Sequence, residues 1–122
     1  MIVVGQRGSI SVVLAALLAV LLVVAMGVAD VTSALVAAGR AQDAADAAAL
    51  AAVQEIAAPS GRTASEVAAE YAVRNGASLT ACSCDPASLA AVVTVRTPVG
   101  PMLLFADDRV AEASARAVVS MP

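Results

Sequence analysis

The sequence predicts an α+β chain. One long N-terminal helix spans a membrane and continues beyond it. A small head follows, built from one helix and a three-stranded antiparallel sheet. Three observations carry this: an uncharged apolar run from Ile10 to Ala29, an alanine-rich stretch without proline from Asp30 to Ala57, and a change from helical period to alternation after Gly76. The boundaries that follow are a short basic leader at 1–9, a transmembrane helix at 10–29, a membrane-proximal helix at 30–58 and an extracytoplasmic head at 59–122.

The run "ISVVLAALLAVLLVVAMGVA" holds one serine and no charge. A bilayer core of about 30 Å needs roughly 20 such residues. Composition agrees: 61% of the 122 residues are hydrophobic and 14% are charged, against about 25% charged in an ordinary soluble domain. Arg7 precedes the run and Asp30 follows it, with the next arginine at Arg40. The positive-inside rule then puts the N-terminus in the cytoplasm and the head outside the cytoplasmic membrane. The competing reading is a cleavable signal, cut after Ala29 at Gly27-Val28-Ala29, which releases a soluble secreted protein. The length of the apolar run argues against it, since signal cores span about 7–15 residues.

Beyond the span, "GRAQDAADAAALAA" (Gly39 to Ala52) is rich in the best helix former. Arg40 and Asp43 are spaced to pair, and Gly39 is the natural place for a bend. Small residues let a neighbouring helix approach closely, which makes Ala45, Ala48, Ala49 and Ala52 the candidate packing positions. Two neighbours are open: the chain's own head, or another helix from a copy or a partner. Pro59-Ser60-Gly61 ends the helix.

"TASE", Thr63 to Glu66, is a capping box that starts a second helix. That helix runs to about Arg74, and Asn75-Gly76 closes it. Alternation then marks three strands. In "ASLTACSC", Ala77, Leu79 and Ala81 share one face, opposite Ser78, Thr80 and Cys82. In "AVVTVRT", Val93 and Val95 lie opposite Thr94 and Arg96. In "VAEASARAV", Ala111, Ala113, Ala115 and Ala117 lie opposite Glu112, Ser114 and Arg116. Met102 to Phe105 is expected to form a turn of helix in a connection. A head of about 60 residues is marginal by itself, and packing on the long helix would help it.

The chemistry inventory is thin. With no histidine, the chain has no Ser-His-Asp triad and no histidine-containing zinc site. Its net charge of −3 and lack of a basic cluster speak against nucleic acid. No catalytic residue, cofactor, metal site or small-molecule substrate is expected, and the chain is read as a non-enzyme. Cys82 and Cys84 leave two readings open, a disulfide or two thiols. In an extended strand their Cα atoms would stand at about 6.5–7 Å, the edge of disulfide range, so a bond requires the chain to curl at Asp85-Pro86.

"QRGSISV" before the span and "GRAQDAADAAALAAV" after it resemble the N-terminus of TadE/TadG-like proteins of the tight-adherence (Flp) pilus system. Arg40, Gln42, Ala44, Ala45, Asp46, Ala47, Ala48, Ala49, Leu50 and Ala51 carry the likeness. The later "AVRNGASLTAC", "VVTVRTPVG" and "ARAV" look like the short TadE-like branch of actinobacteria. The resemblance implies a pilin-like fold and a membrane-anchored, minor pilin-like component of a pilus or secretion assembly. It implies other membrane proteins of that system, copies of itself and membrane lipid as partners. It also implies leader processing between Gly8 and Ser9. Such a cut would put Val13 at the fifth mature position, where pilins often carry glutamate.

Overall fold

The computed structural model describes residues 2–105 and 109–120, with side chains from Gly8 onward. Met1 and the side chain of Arg7, on which the orientation reading leans, lie outside the described residues. The architecture is α+β, in the order α1 (Ile2–Ala57), α2 (Ala64–Arg74), β1 (Ser78–Ser83), β2 (Ala90–Pro98) and β3 (Val110–Val118). The strands form one antiparallel meander in the order β1-β2-β3.

The helix α1 is 56 residues long, or about 84 Å at 1.5 Å per residue. It runs through Gly39 without interruption. Its surface changes character along its length. Every residue from Gly8 to Ala25 is exposed on all sides. From Met26 a covered stripe begins: Met26 and Gly27, Asp30, Ser33 and Ala34, Ala37, Ala41, Ala44 and Ala45, Ala48 and Ala49, Ala52. Those steps of three or four trace one helical face.

The head closes on that stripe. Its α2 begins at the expected capping box, with the Thr63 hydroxyl accepting from the Glu66 amide at 3.1 Å and the Glu66 carboxylate accepting from the Thr63 amide at 3.3 Å. Asn75 caps its end, and Gly76 turns the chain at φ +79°, a conformation that glycine adopts without penalty. The inner sheet face presents Ala91, Val93, Val95 and Thr97 from β2 and Ala111, Ala113, Ala115 and Ala117 from β3. Thr97 is buried, and its hydroxyl donates to the Gly76 carbonyl at 2.6 Å. The core is therefore almost wholly alanine and valine, with helix and sheet held close. A head too small to bury a core of its own borrows one face of α1.

Two local expectations need correction. In β1 the alternation fails after Leu79. A bulge makes Thr80 the extra residue, so that Leu79 pairs with Val95 and Ala81 with Thr94. The face then switches: Ala81 is exposed, while Cys82 packs against the core. An inserted residue reverses the parity of every later side chain. Met102 to Phe105 is a bend rather than a turn of helix. The Leu103 and Leu104 amides point away from the local backbone, toward Asp30.

Candidate functional site

The covered stripe of α1 begins at the end of the apolar span, and Asp30 sits where the two meet. Asp30 is 2% exposed. Its Oδ1 accepts the Leu103 amide at 2.6 Å and its Oδ2 the Leu104 amide at 2.7 Å. Burial pushes this carboxyl up, and hydrogen bonds from the backbone of Leu103, Leu104 and Phe105 outweigh it, holding the group below its ordinary 3.8. A carboxylate that accepts several backbone N–H groups keeps its charge without a cationic partner.

The loop that Asp30 grips joins β2 to β3. Its neck is closed by pairing of Pro98 with Val110 and by the Val99 amide donating to the Arg109 carbonyl at 2.9 Å. From there the loop reaches along α1 toward its N-terminal end. The Leu104 Cδ1 comes within 3.8 Å of the place where a Cβ on Gly27 would stand. Leu104 thus lies beside Gly27, within the last turns of the apolar run. In the sequence alone Asp30 is only a charge that marks the end of the span. The available signal was an acidic residue at the boundary, together with an apolar connection whose amides needed acceptors.

Above Asp30 lies the alanine face. Ala45, Ala48 and Ala52 are fully buried and Ala49 is 1% exposed. They join one cluster with Ala64, Ala68 and Ala72 of α2 and with Ala91, Val93 and Val95 of β2. The neighbour on these positions is the chain's own head. The opposite face carries Gln42, Asp43, Asp46 and Leu50, all exposed. Arg40 and Asp43 are not paired among the described residues. Instead Gln42 donates to Asp46 at 3.0 Å, and the Arg40 stem lies over Gly76.

Gly8 and Ser9 are exposed within α1, which continues through them. Cys84 lies beyond the end of β1, where Asp85 caps a 3₁₀ turn over Pro86–Ser88. That turn curls the chain and brings the Cys82 and Cys84 Cα atoms to 5.4 Å, with the sulfurs facing each other. Glu70 bridges Arg62 and Arg74, each at 2.6 Å, on the outer side of α2. Among the described residues no group of three or more His, Cys, Asp or Glu side chains is arranged to hold a metal ion.

The stretch from Gly8 through the span to the alanine face matches a known sequence pattern. A family model described as "Tad: Putative Flp pilus-assembly TadE/G-like" matches residues 8–55. Residues 8–55 are similar to that family. No curated protein and no solved structure matches the chain. The TadE/G-like segment covers the exposed apolar half of α1, Asp30 and nearly all of the alanine face, and it stops short of the head. The description concerns pilus assembly, a structural role.

Proposed function

We propose that this chain is a membrane-anchored, minor pilin-like component of a pilus or secretion assembly, with its N-terminus cytoplasmic and its head outside the membrane. One observation carries the reading: the TadE/G-like segment coincides with a helix that is bare and apolar at one end and shielded by a head at the other. Among the described residues α1 is the one helix long and apolar enough to cross a bilayer. An unshielded face of this length has no counterpart on a water-soluble surface, and a bilayer accommodates it. The exposed Gln42, Asp43, Asp46 and Leu50 face is the surface left for a neighbouring subunit. Release by cleavage after Ala29 fits less well, because it would remove the Gly27 against which Leu104 packs and leave Asp30 as the terminal residue.

Leader processing between Gly8 and Ser9 belongs to this proposal. The resulting subunit would carry Val13 where a glutamate would offset the exposed amine of a neighbour, and an unpaired charge in hydrocarbon is costly. That favours a tip, base or membrane-resident role over the repeating core of a filament. N-terminal sequencing of the membrane-extracted protein checks the first part: Ser9 is the expected end, and Asp30 would support secretion instead. Quantitative mass spectrometry of sheared surface filaments beside the membrane fraction checks the second. A minor share in the filaments is expected, and dominance there would refute the low-copy role.

A further inference from the structure

We propose that the β2–β3 loop is a second bilayer contact, with Leu103, Leu104 and Phe105 lying in the acyl–headgroup boundary beside the exit of the span. The inference rests on the reading of α1 as a membrane helix. If the hydrocarbon begins at Ile10, a core of about 30 Å at 1.5 Å per residue ends near Ala29. Leu104 sits against Gly27, and Phe105 borders a shallow apolar surface with Val24, Val28 and Val31. Gly27 and Val24 are about 3 Å and 8 Å inside that boundary by the helical rise. Interfacial segments bury their apolar side to a similar depth, about 5–10 Å.

Exposure points the same way. Leu103, Leu104 and Phe105 are 62%, 46% and 48% exposed in the isolated chain, three large apolar side chains in succession. They are continuous with the bare surface of the span, so the lipid that covers one would cover the other. The chain has a single phenylalanine, and it falls here. The Arg109 guanidinium stands 5.1 Å from the centre of its ring, which suits a cation at the level of lipid phosphates. The charged Arg109 limits insertion to the boundary. Asp30 makes this depth tolerable, since both carboxylate oxygens are filled by loop amides. A single helix leaves a head free to rotate and tilt, and a second contact sets its attitude to the membrane.

The chain has no tryptophan, so a Phe105→Trp variant of the full chain carries one fluorophore. It would be reconstituted in phosphatidylcholine–phosphatidylglycerol vesicles whose acyl chains are brominated either near the glycerol or near the chain end. Leu18→Trp and Leu50→Trp serve as probes of the span and of the water-facing helix, and Leu103→Trp repeats the loop measurement if Phe105→Trp unfolds. The expected result for the loop probe is blue-shifted emission, quenched more strongly by the shallow bromines than by the deep ones. Quenching of Leu18→Trp with water-like, unquenched emission from both loop probes would overturn the loop contact while leaving the membrane helix standing. A blue shift without bromine quenching would also overturn it, since protein rather than lipid would then cover the loop. Unquenched Leu18→Trp would instead sink the membrane reading on which the inference rests.

Discussion

Asp30 and Leu103 are 73 positions apart in sequence and are joined by a 2.6 Å hydrogen bond from the Leu103 amide to the Asp30 carboxylate. With the parallel bond from Leu104, it ties the far end of the β2–β3 loop to the last turn of the apolar helix. The two halves of the chain meet twice, once through alanines and once through this carboxylate.

Replacing Asp30 by alanine removes both acceptors at once. These part-buried bonds are what hold the Leu103 and Leu104 backbone to α1, so without them the loop is expected to leave the helix. The measurement is amide hydrogen exchange: Leu103 and Leu104 should lose protection, while Val93 and Val95 in β2 keep theirs. Asp30→Asn retains one acceptor oxygen and should fall between the two.

The same contact sets a pH dependence. The Asp30 carboxyl is held below 3.8 when the loop is docked. A group depressed in the folded state contributes stability that is complete above its unfolded value and lost as pH falls through its folded value. Loop protection should therefore be unchanged from neutral pH down to about pH 5 and fall only below the ordinary carboxylate range. Asp30→Asn should show no such transition at that site. A midpoint above the ordinary range in the wild type would contradict the clasp.

Ala48 is fully buried under the head. Ala48→Leu is expected to overpack that contact and destabilise the fold by about 1–3 kcal/mol, seen as a lower unfolding temperature in detergent. Leu50, which is 55% exposed on the opposite face, should tolerate alanine within about 0.5 kcal/mol. If instead Leu50→Ala weakens co-purification of partner subunits with stability unchanged, the outward face is the assembly surface.

Gly76 and Arg40 make a coupled pair. A Cβ on Gly76 would stand 3.1 Å from the Arg40 Cδ, on backbone at φ +79°. Gly76→Ala is expected to cost roughly 1–2 kcal/mol from the left-handed backbone alone. Adding Arg40→Ala should relieve the steric part and leave that backbone part, which a double-mutant cycle in thermal unfolding separates.

The short distance between Cys82 and Cys84 leads us to expect a disulfide in the head. Thiol labelling of the purified protein should be negligible before reduction and reach both cysteines afterwards. Because the closed loop is so short, replacing both by serine should cost no more than about 1–2 kcal/mol by the loop-closure relation.

By itself, the sequence determined every element that follows from local physics. The uncharged run and the alanine stretch made α1, Thr63 and Glu66 started α2, and alternation marked the three strands. Tertiary structure alone decided what those elements do to one another. The parity of β1 reverses at Thr80 because a bulge answers to its pairing with β2, which no pattern within β1 records. The alanines of α1 are equally small on every side, so only the docked head shows which of them are covered. Met102 to Phe105 carries enough apolar character for a helical turn, but the amides of Leu103 and Leu104 are bound by a carboxylate some seventy positions away. Backbone donors take whichever acceptor the fold brings within reach, and that choice is made in space rather than along the chain.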